Sequence, residues 1–115
     1  MRATGLKGEG IAIKFLKKQG YKILEKNYRT PFGEIDIIAL RDGVVVFVEV
    51  KARNTDLFGF PEEAVTRQKQ ERIKRSALCY LKNLKEVPPV RFDVISIDLG
   101  KYPEPLVEHI EYAFE

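Results

Sequence analysis

The sequence predicts a single α/β (α+β) domain in which helices flank a mixed β-sheet, with the element order α-β-β-β-α-β-β. Two apolar runs joined by Asp42-Gly43 have the pattern of a central hairpin, because a type I′ turn needs positive φ at both central positions. A long helical segment then separates this hairpin from two further strand-like segments, which allows a crossover back into the sheet. At 115 residues the chain is long enough for one core, so we expect residues 1–115 to form one domain.

Composition sets limits on the class of protein. The chain is 44% hydrophobic and 32% charged, and its net charge of +3 permits a polyanionic partner without demanding one. A single cysteine, Cys79, excludes an intramolecular disulfide and fits a reducing compartment. The N-terminus lacks an apolar signal core, and no apolar run approaches membrane-spanning length. We therefore expect a cytoplasmic protein with no membrane partner.

Apolar periodicity and turn residues predict the individual elements. We expect helices over Leu6–Gln19 and Pro61–Leu84, and strands over Tyr21–Asn27, Glu34–Arg41, Val44–Lys51, Val90–Leu99 and Leu106–Phe114. Gly20 suits the position after the first helix, and Pro61 suits the first turn of the second. Segments 27–33, 52–61 and 100–105 are predicted loops. Phe58 and Phe60 in the second loop either close over a ligand or pack into the core.

The hairpin register brings charged residues together. Counting from the turn places Asp36 opposite Glu49 and Glu34 opposite Lys51, and side-chain alternation puts all four on one face. A three-residue loop would shift this register, whereas a four-residue loop would not. Opposed carboxylates destabilise a sheet by up to about 1 kcal/mol, and burial raises the cost unless a proton or cation intervenes. One lysine does not balance three acids, so the sequence predicts a missing positive charge.

Glu9 is a charged residue of the first helix that leans toward the inward apolar stripe of this helix. It is three or four residues from Leu6, Ala12 and Ile13. One interpretation is a flanking glutamate that extends to water, and the helix alone favours this. The other is that Glu9 points toward the carboxylates of the hairpin.

The second helix carries a cluster of cations, namely Arg67, Lys69, Arg72, Lys74 and Arg75. One interpretation is a solvated face with pairs such as Glu71–Arg75. The other is a rim that contacts phosphates beside the acidic residues. Gln68 and Lys69 interrupt the apolar stripe, which mildly favours function for these two. The candidate nucleic-acid-binding residues are Arg29, Arg53, Arg67, Gln68, Lys69 and Arg72.

Two carboxylates, the second of which is followed two positions later by a lysine, are suited to phosphodiester hydrolysis. Hard oxygen ligands at close range favour Mg²⁺ or Mn²⁺, which keep several waters and lower the pKa of one of them. A lysine supplies a compact cation for the water or a phosphate oxygen. Zinc is not expected, because His109 and Cys79 have no ligand spacing. The sequence also lacks a glycine-rich phosphate loop.

The order of Asp36 and Glu49-Val50-Lys51 across a strand-turn-strand resembles the PD-(D/E)xK nuclease superfamily. Glu9 on a preceding helix is similar to the extra acid of its Holliday-junction-resolvase-like branch. The whole chain resembles the bacterial YraN family, a largely uncharacterised family for which endonuclease activity is expected. The matching residues are Gly8-Glu9, Ala12, Gly20-Tyr21, Asn27, Gly33-Glu-Ile-Asp36, Phe47-Val-Glu-Val-Lys51, Arg53, Gly59, Glu63-Ala-Val65, Lys69, Tyr80-Leu81, Arg91-Phe-Asp93 and Ala113-Phe114.

The resemblance implies a restriction-endonuclease-like fold and a Mg²⁺ or Mn²⁺ cofactor. It implies that Asp36 and Glu49 are metal ligands, with the Val50 carbonyl as a third. Lys51 would assist the water or the phosphate, and Glu9 would complete the acidic cluster. The proline that precedes the first acid of the superfamily motif is replaced here by Ile35, which leaves open whether Glu34 or Asp36 leads.

Three functions compete at this stage. The first is a metal-dependent endonuclease that acts on nucleic acid, with branched or structured DNA favoured over RNA. The second is a nucleic-acid-binding module without catalysis, and the third is a structural salt-bridge network, which is disfavoured because buried ion pairs stabilise less than apolar packing. The final strand, Leu106–Phe114, could form a homodimer by pairing at a sheet edge.

Overall fold

The computed structural model describes residues 2–53, 65–100 and 104–115, with side chains from residue 7 onward. The elements are α1 (Arg2–Lys18), β1 (Lys22–Thr30), β2 (Gly33–Arg41), β3 (Val44–Arg53), α2 (Arg67–Leu81), β4 (Val90–Asp98) and β5 (Leu106–Phe114). Their order and the mixed sheet confirm the predicted fold class. The predicted helical residues 61–64, Phe58, Phe60 and the centre of the 100–105 turn lie outside the described residues.

The five strands form one sheet in the order β1-β2-β3-β4-β5. β3 and β4 are parallel, and the other neighbouring pairs are antiparallel. Parallel neighbours need a crossover connection, and the segment between β3 and β4 carries α2. β1 and β5 are the edge strands, and dimer pairing through the last strand would require such an edge position.

Each face of the sheet is covered by one helix. On one face, Ala12 and Leu16 of α1 pack with Val48 of the central strand. On the other face, Ile73 of α2 packs with Phe47. Because neighbouring residues of β3 are buried on opposite faces, the central strands are continuously apolar rather than alternating.

The central hairpin forms in the predicted register. Asp42 and Gly43 have φ of 53° and 80°, as a type I′ turn requires. The pairing runs from Arg41 opposite Val44 to Ile37 opposite Val48, where the ladder between β2 and β3 ends.

Beyond Ile37 and Val48 the predicted register does not continue. The expected pairs Asp36–Glu49 and Glu34–Lys51 are not formed in the ladder between β2 and β3. Instead, the backbone N–H of Val50 donates a 2.8 Å hydrogen bond to Oδ2 of Asp36. The prediction of simple opposition was therefore wrong at this end of the hairpin, because a side chain replaces the backbone of β2 as the partner of β3.

Three predicted boundaries were also wrong. β1 continues to Thr30 instead of ending at Asn27, whose left-handed backbone (φ 51°) lies within the strand. The helix expected from Pro61 begins at Arg67, because Thr66 has extended backbone and its side chain accepts a hydrogen bond from Lys69 N, as an N-cap residue does. This helix ends at Leu81 and not at Leu84.

The first helix begins four residues before the predicted Leu6 and ends one residue before the predicted Gln19. It starts at Arg2 and stops at Lys18, and Gly20 has φ of 91°. Tyr21 N donates to Leu16 O and Gly20 N to Lys17 O, which is the Schellman pattern. Within the described residues, no helix is long and apolar enough to cross a membrane.

Candidate functional site

The side-chain alternation of β2 breaks at Asp36. Ile35 packs in the core on the α2 side, whereas Ile37, two residues later, packs in the core on the α1 side. In an unbroken strand both side chains would point to the same face. Since the ladder with β3 also ends here, the Asp36 carboxylate lies in a gap between the two central strands, held there by Val50 N.

Glu49 and Lys51 lie on the α2 side of β3. Phe47 packs with α2, and alternation carries Glu49 and Lys51 to the same face. Glu49 is buried, with 6% of its surface exposed. Lys69 Nζ of α2 lies 2.6 Å from Glu49 Oε2, and Lys51 Nζ lies 3.7 Å from the same oxygen. A buried carboxylate is thus bound by two lysines, and we refer to Asp36, Glu49, Lys51 and Lys69 as the acid–lysine cluster.

Gly8 sets the distance between α1 and this end of the sheet. A Cβ atom at Gly8 would lie 2.6 Å from the Cβ of Ala52, so only glycine permits this close approach. The next residue, Glu9, is half-buried, and its negative charge contributes to the raised pKa of Asp36. The structure therefore brings Glu9 toward Asp36 from the face opposite Glu49.

The charges around Asp36 leave it short of positive charge. Burial, together with the negative charges of Glu49 and Glu9, raises the pKa of Asp36 from 3.8 to about 7, against the opposing effects of the Val50 hydrogen bond and Lys69. Burial and the adjacent Lys69 lower the pKa of Lys51. Burial also lowers the pKa of Lys69, but its hydrogen bond and ion pair with Glu49 outweigh this effect and leave the pKa raised.

The donors of this cluster fit a hydrated hard cation. Mg²⁺ typically takes one or two carboxylates and keeps several waters, and Asp36 and Glu49 supply the carboxylates. Among the described residues, no three Asp, Glu, His or Cys side chains form a metal-binding group. Asp36 and Glu49 are thus the two carboxylates that could hold a hydrated Mg²⁺ or Mn²⁺ ion. The proton that Asp36 retains near neutral pH is the charge that such a cation would replace.

The predicted nucleic-acid-binding residues are spread over two strands and α2. Arg29 is exposed on β1 opposite Glu34, and Arg53 ends β3. Arg67, Gln68 and Arg72 are exposed on α2. Lys69 differs from these residues, because its ammonium group contacts Glu49.

Two features of the site were missed from the sequence. The first is the bond between Lys69 and Glu49, although the interrupted apolar stripe of the helix had marked position 69. The second is the placement of Glu34, which lies in register with Arg29 and, within the described part of the chain, makes no ion pair with Lys51. The expected pairing of Glu34 with Lys51 is therefore not what the structure shows.

A separate buried polar network lies between β4 and β5. Asp93 is fully buried and accepts hydrogen bonds from the Arg91 guanidinium and from Tyr112 N, while His109 Nε2 lies 2.7 Å from its Oδ2. Arg91 also donates to the Tyr21 hydroxyl. Burial alone would raise the pKa of Asp93, but the hydrogen bonds from His109 and Arg91 lower it below its ordinary value. These contacts join β4 to β5 and give the Arg91-Phe92-Asp93 segment a structural role.

The residues that the structure describes define an α/β fold with one helix on each face of the sheet and a charged site at the end of the central hairpin. Residues 8–97 match the model of the uncharacterised protein family UPF0102, and the chain belongs to that family. UPF0102 is the YraN family that the sequence resembles, so this match confirms that part of the resemblance.

Relatives of similar length carry the same family name. A UPF0102 protein of Thermodesulfovibrio yellowstonii is 54% identical over 110 residues, which cover 96% of this chain and 94% of the relative. A UPF0102 protein of Syntrophomonas wolfei is 46% identical, with 98% of each chain covered. A third, from Geobacter metallireducens, is 47% identical over 99% of this chain and 93% of the relative.

Proposed function

We propose that this chain is a metal-dependent endonuclease of the PD-(D/E)xK type that hydrolyses nucleic-acid phosphodiester bonds, with DNA the favoured substrate and the cytoplasm its place of action. The observation that carries the proposal is the geometry of the acid–lysine cluster, in which Val50 N holds the Asp36 carboxylate and the buried Glu49 contacts both Lys51 and Lys69. Burial, with help from Glu49 and Glu9, also raises the pKa of Asp36 to about 7. Perturbed acids of this kind concentrate at functional sites. A purely structural role would leave this carboxylate unexplained, because Asp36 raises the free energy of the folded state whenever it is ionised.

Asp36 and Glu49 would hold the Mg²⁺ or Mn²⁺ ion, with the Val50 carbonyl as a third protein oxygen. When bound, the ion supplies Lewis-acid stabilisation of the phosphate and lowers the pKa of the attacking water. Asp36 is fixed for this task, since Val50 N holds one of its oxygens. Glu49 is fixed by its burial between β3 and α2.

Lys51 would hold the attacking water or a phosphate oxygen. Its pKa is lowered by burial and by Lys69, so it gives up a proton more readily than an ordinary lysine. Lys69 would act as a positioning residue, since it holds Glu49 in place before a cation binds. Glu9 would strengthen the attraction of the site for a cation by adding negative charge near Asp36.

Substrate binding would depend on phosphate contacts. The sequence of α2 holds five basic residues and one acidic residue, and its exposed Arg67 and Arg72 can approach a phosphate backbone. Such contacts release counterions, so binding should weaken steeply as salt rises. An affinity that does not change between low and moderate salt would contradict nucleic acid as the partner.

The test is cleavage of labelled duplex, single-stranded, flap and four-way-junction DNA and of structured RNA. Each substrate is incubated with Mg²⁺, with Mn²⁺ or with a chelator, beside Asp36→Asn and Lys51→Ala purified in the same way. We expect cutting that needs the metal and is lost in both variants. Cutting that persists in the variants would indicate a contaminating nuclease and would contradict the proposal.

A second function is supported by one observation. Lys69 already neutralises Glu49 without any metal, which suits a nucleic-acid-binding module that does no chemistry. That module would show salt-sensitive binding in the same experiment and no cutting of any substrate.

A further inference from the structure

An exposed aromatic ring lies beside the acid–lysine cluster. Phe32 sits in the turn between β1 and β2 and is 44% exposed. The Arg75 guanidinium of α2 lies 5.9 Å from the centre of the ring. The ring is therefore accessible to a ligand and has a cation beside it.

The position of Phe32 is fixed by the turn that carries it. Phe32 N donates a 3.0 Å hydrogen bond to Thr30 Oγ1, which in turn donates to Gly33 O. Thr30 Oγ1 also lies 2.8 Å from Oγ of the fully buried Ser76 of α2. The turn is thereby fastened to the helix, and the backbone that carries the ring is held in place before any ligand arrives.

Two neighbouring depressions beside α2 share Phe32 and Arg72 in their linings, and we call the two together the Phe32 groove. One depression of about 410 Å³ is lined by Phe32, Lys69 and Arg72, among others. The adjoining one, of about 360 Å³, is lined by Phe32, Arg72 and Arg75. Because Lys69 contacts Glu49, the first depression leads to the acid–lysine cluster.

The chemistry of the Phe32 groove is that of a single-strand binding surface. Its cations Lys69, Arg72 and Arg75 outnumber the acids Glu34 and Glu71, which also line it. Grooves that bind single-stranded nucleic acid combine cations along the backbone path with aromatic rings on which bases stack. The bases of a duplex are already stacked and are not free to pack on a surface ring.

We propose that the ring of Phe32, with the Arg75 guanidinium beside it, is a stacking platform for an unpaired base of the substrate. The strand would follow α2, and the stacked base would direct a neighbouring phosphodiester toward Glu49. This inference rests on the proposed function and narrows it, since it names a single-stranded or locally unpaired segment as the substrate class.

The test measures binding without cleavage. Fluorescence anisotropy in chelator compares a labelled single strand with a duplex of the same sequence for the wild type, Phe32→Ala, Phe32→Tyr and Val87→Ala. Val87, which is 74% exposed in the segment after α2 and lies outside the groove, is the matched control. We expect Phe32→Ala to weaken single-strand binding by roughly 5- to 100-fold, with little change for the duplex.

The other variants identify the cause. Phe32→Tyr retains a stacking ring and should bind the single strand as the wild type does, as should Val87→Ala. Equal losses for single strand and duplex, or no loss in Phe32→Ala, would overturn the inference. If the wild type cuts nucleic acid while Phe32→Ala binds normally, the inference alone fails. If the wild type neither binds nor cuts, the proposed function fails too, and the groove suits a protein partner instead.

Discussion

Lys69 Nζ on α2 lies 2.6 Å from Oε2 of the buried Glu49 on β3. The sequence showed three acids and one lysine on the hairpin, and predicted that a positive charge was missing. Lys69 supplies part of that charge from an element far away in the chain. Burial and the neighbouring acids raise the pKa of Asp36 to about 7, although Lys69 lowers it. The positive charge of Lys69 therefore does not fully compensate the acids around Asp36.

Replacing Lys69 should therefore strengthen metal binding. Lys69→Met removes a cation that competes for Glu49 Oε2, so we expect Mn²⁺ affinity to rise by at least about 5-fold. Without metal, the loss of the partner of a buried carboxylate should lower the free energy of unfolding by about 1–3 kcal/mol. Calorimetric titration and chemical unfolding in chelator measure the two effects.

Lys74→Met is the matched control, because Lys74 lies on the same helix and no ion pair joins it to a described acid. It should change neither quantity by a comparable amount. A Lys69→Met variant that binds Mn²⁺ more weakly than the wild type would contradict competition and would make Lys69 part of the metal site.

Asp36 should make the protein less stable as pH rises. Its pKa is raised from 3.8 to about 7 by burial first and then by Glu49, so the native state holds a proton that the unfolded state releases. The stability contributed by this proton is complete below about pH 4 and is lost as pH rises to about 7. Asp36→Asn lacks this dependence and should exceed the wild type by more than about 1 kcal/mol near pH 8.

Urea unfolding near pH 5 and near pH 8, in chelator, measures this difference. Glu86→Gln, which replaces an exposed acid after α2, is the control and should follow the wild type. Adding Mg²⁺ should recover wild-type stability near pH 8 and have less effect near pH 5, where the proton competes with the cation. An Asp36→Asn variant whose advantage is the same at both pH values would contradict the raised pKa.

Two glycines of α1 should respond in opposite directions to the same change. A Cβ at Gly8 would lie 2.6 Å from the Cβ of Ala52, whereas a Cβ at Gly10 meets nothing within 4 Å. Gly10→Ala should stabilise the helix by up to about 1 kcal/mol. Gly8→Ala should destabilise the protein by about 1–3 kcal/mol through overpacking, and should displace Glu9 from Asp36.

Thermal unfolding measures both variants, and cleavage assays show whether the displacement matters. We expect Gly8→Ala to lose more cleavage than nucleic-acid binding, because α1 contacts β3 at the residues on either side of Lys51. If Gly8→Ala were as stable and active as Gly10→Ala, the close approach of α1 to β3 would be wrong.

The Asp93 network should govern acid denaturation. Burial raises the pKa of Asp93, but the hydrogen bonds from His109 and Arg91 lower this pKa below its ordinary value. The stability that ionised Asp93 contributes is therefore present above about pH 4 and is lost as the pH falls below about 4. Asp93→Ala should cost about 3–5 kcal/mol, because it leaves the Arg91 guanidinium without its partner in the interior. Asp98→Ala, at the end of the same strand, is the control for urea unfolding near pH 7, and a similar loss in both variants would contradict the buried network.

The central hairpin could be predicted because its information is local. A type I′ turn and an apolar pattern fix the register from Arg41–Val44 to Ile37–Val48, and the structure has that register. The gap at Asp36 could not be predicted, since it depends on Ile35 and Ile37 packing in cores on opposite faces. Alternation alone, which assumes an unbroken strand, gave the wrong partners for Asp36.

The contacts made by α2 could not be predicted from the sequence for another reason. Charge patterning marked Lys69 and its neighbours, but a pattern on one helix does not tell which strand it covers. The bond to Glu49 depends on the crossover that packs α2 on β2 and β3. Phe32 was read as a loop residue, and its exposure beside Arg75 follows from the bond between the turn and Ser76.

The most direct test of the central claim is metal-dependent cleavage by the wild type and by Glu49→Gln, with Glu25→Gln as the control. Glu25 is an exposed acid on β1, so both variants remove one negative charge, and only one of them removes it from the acid–lysine cluster. We predict that the wild type and Glu25→Gln cut nucleic acid in Mg²⁺ or Mn²⁺ and not in chelator, and that Glu49→Gln does not cut. Equal cutting by all three proteins, or cutting in chelator, would contradict a metal-dependent nuclease centred on Asp36 and Glu49.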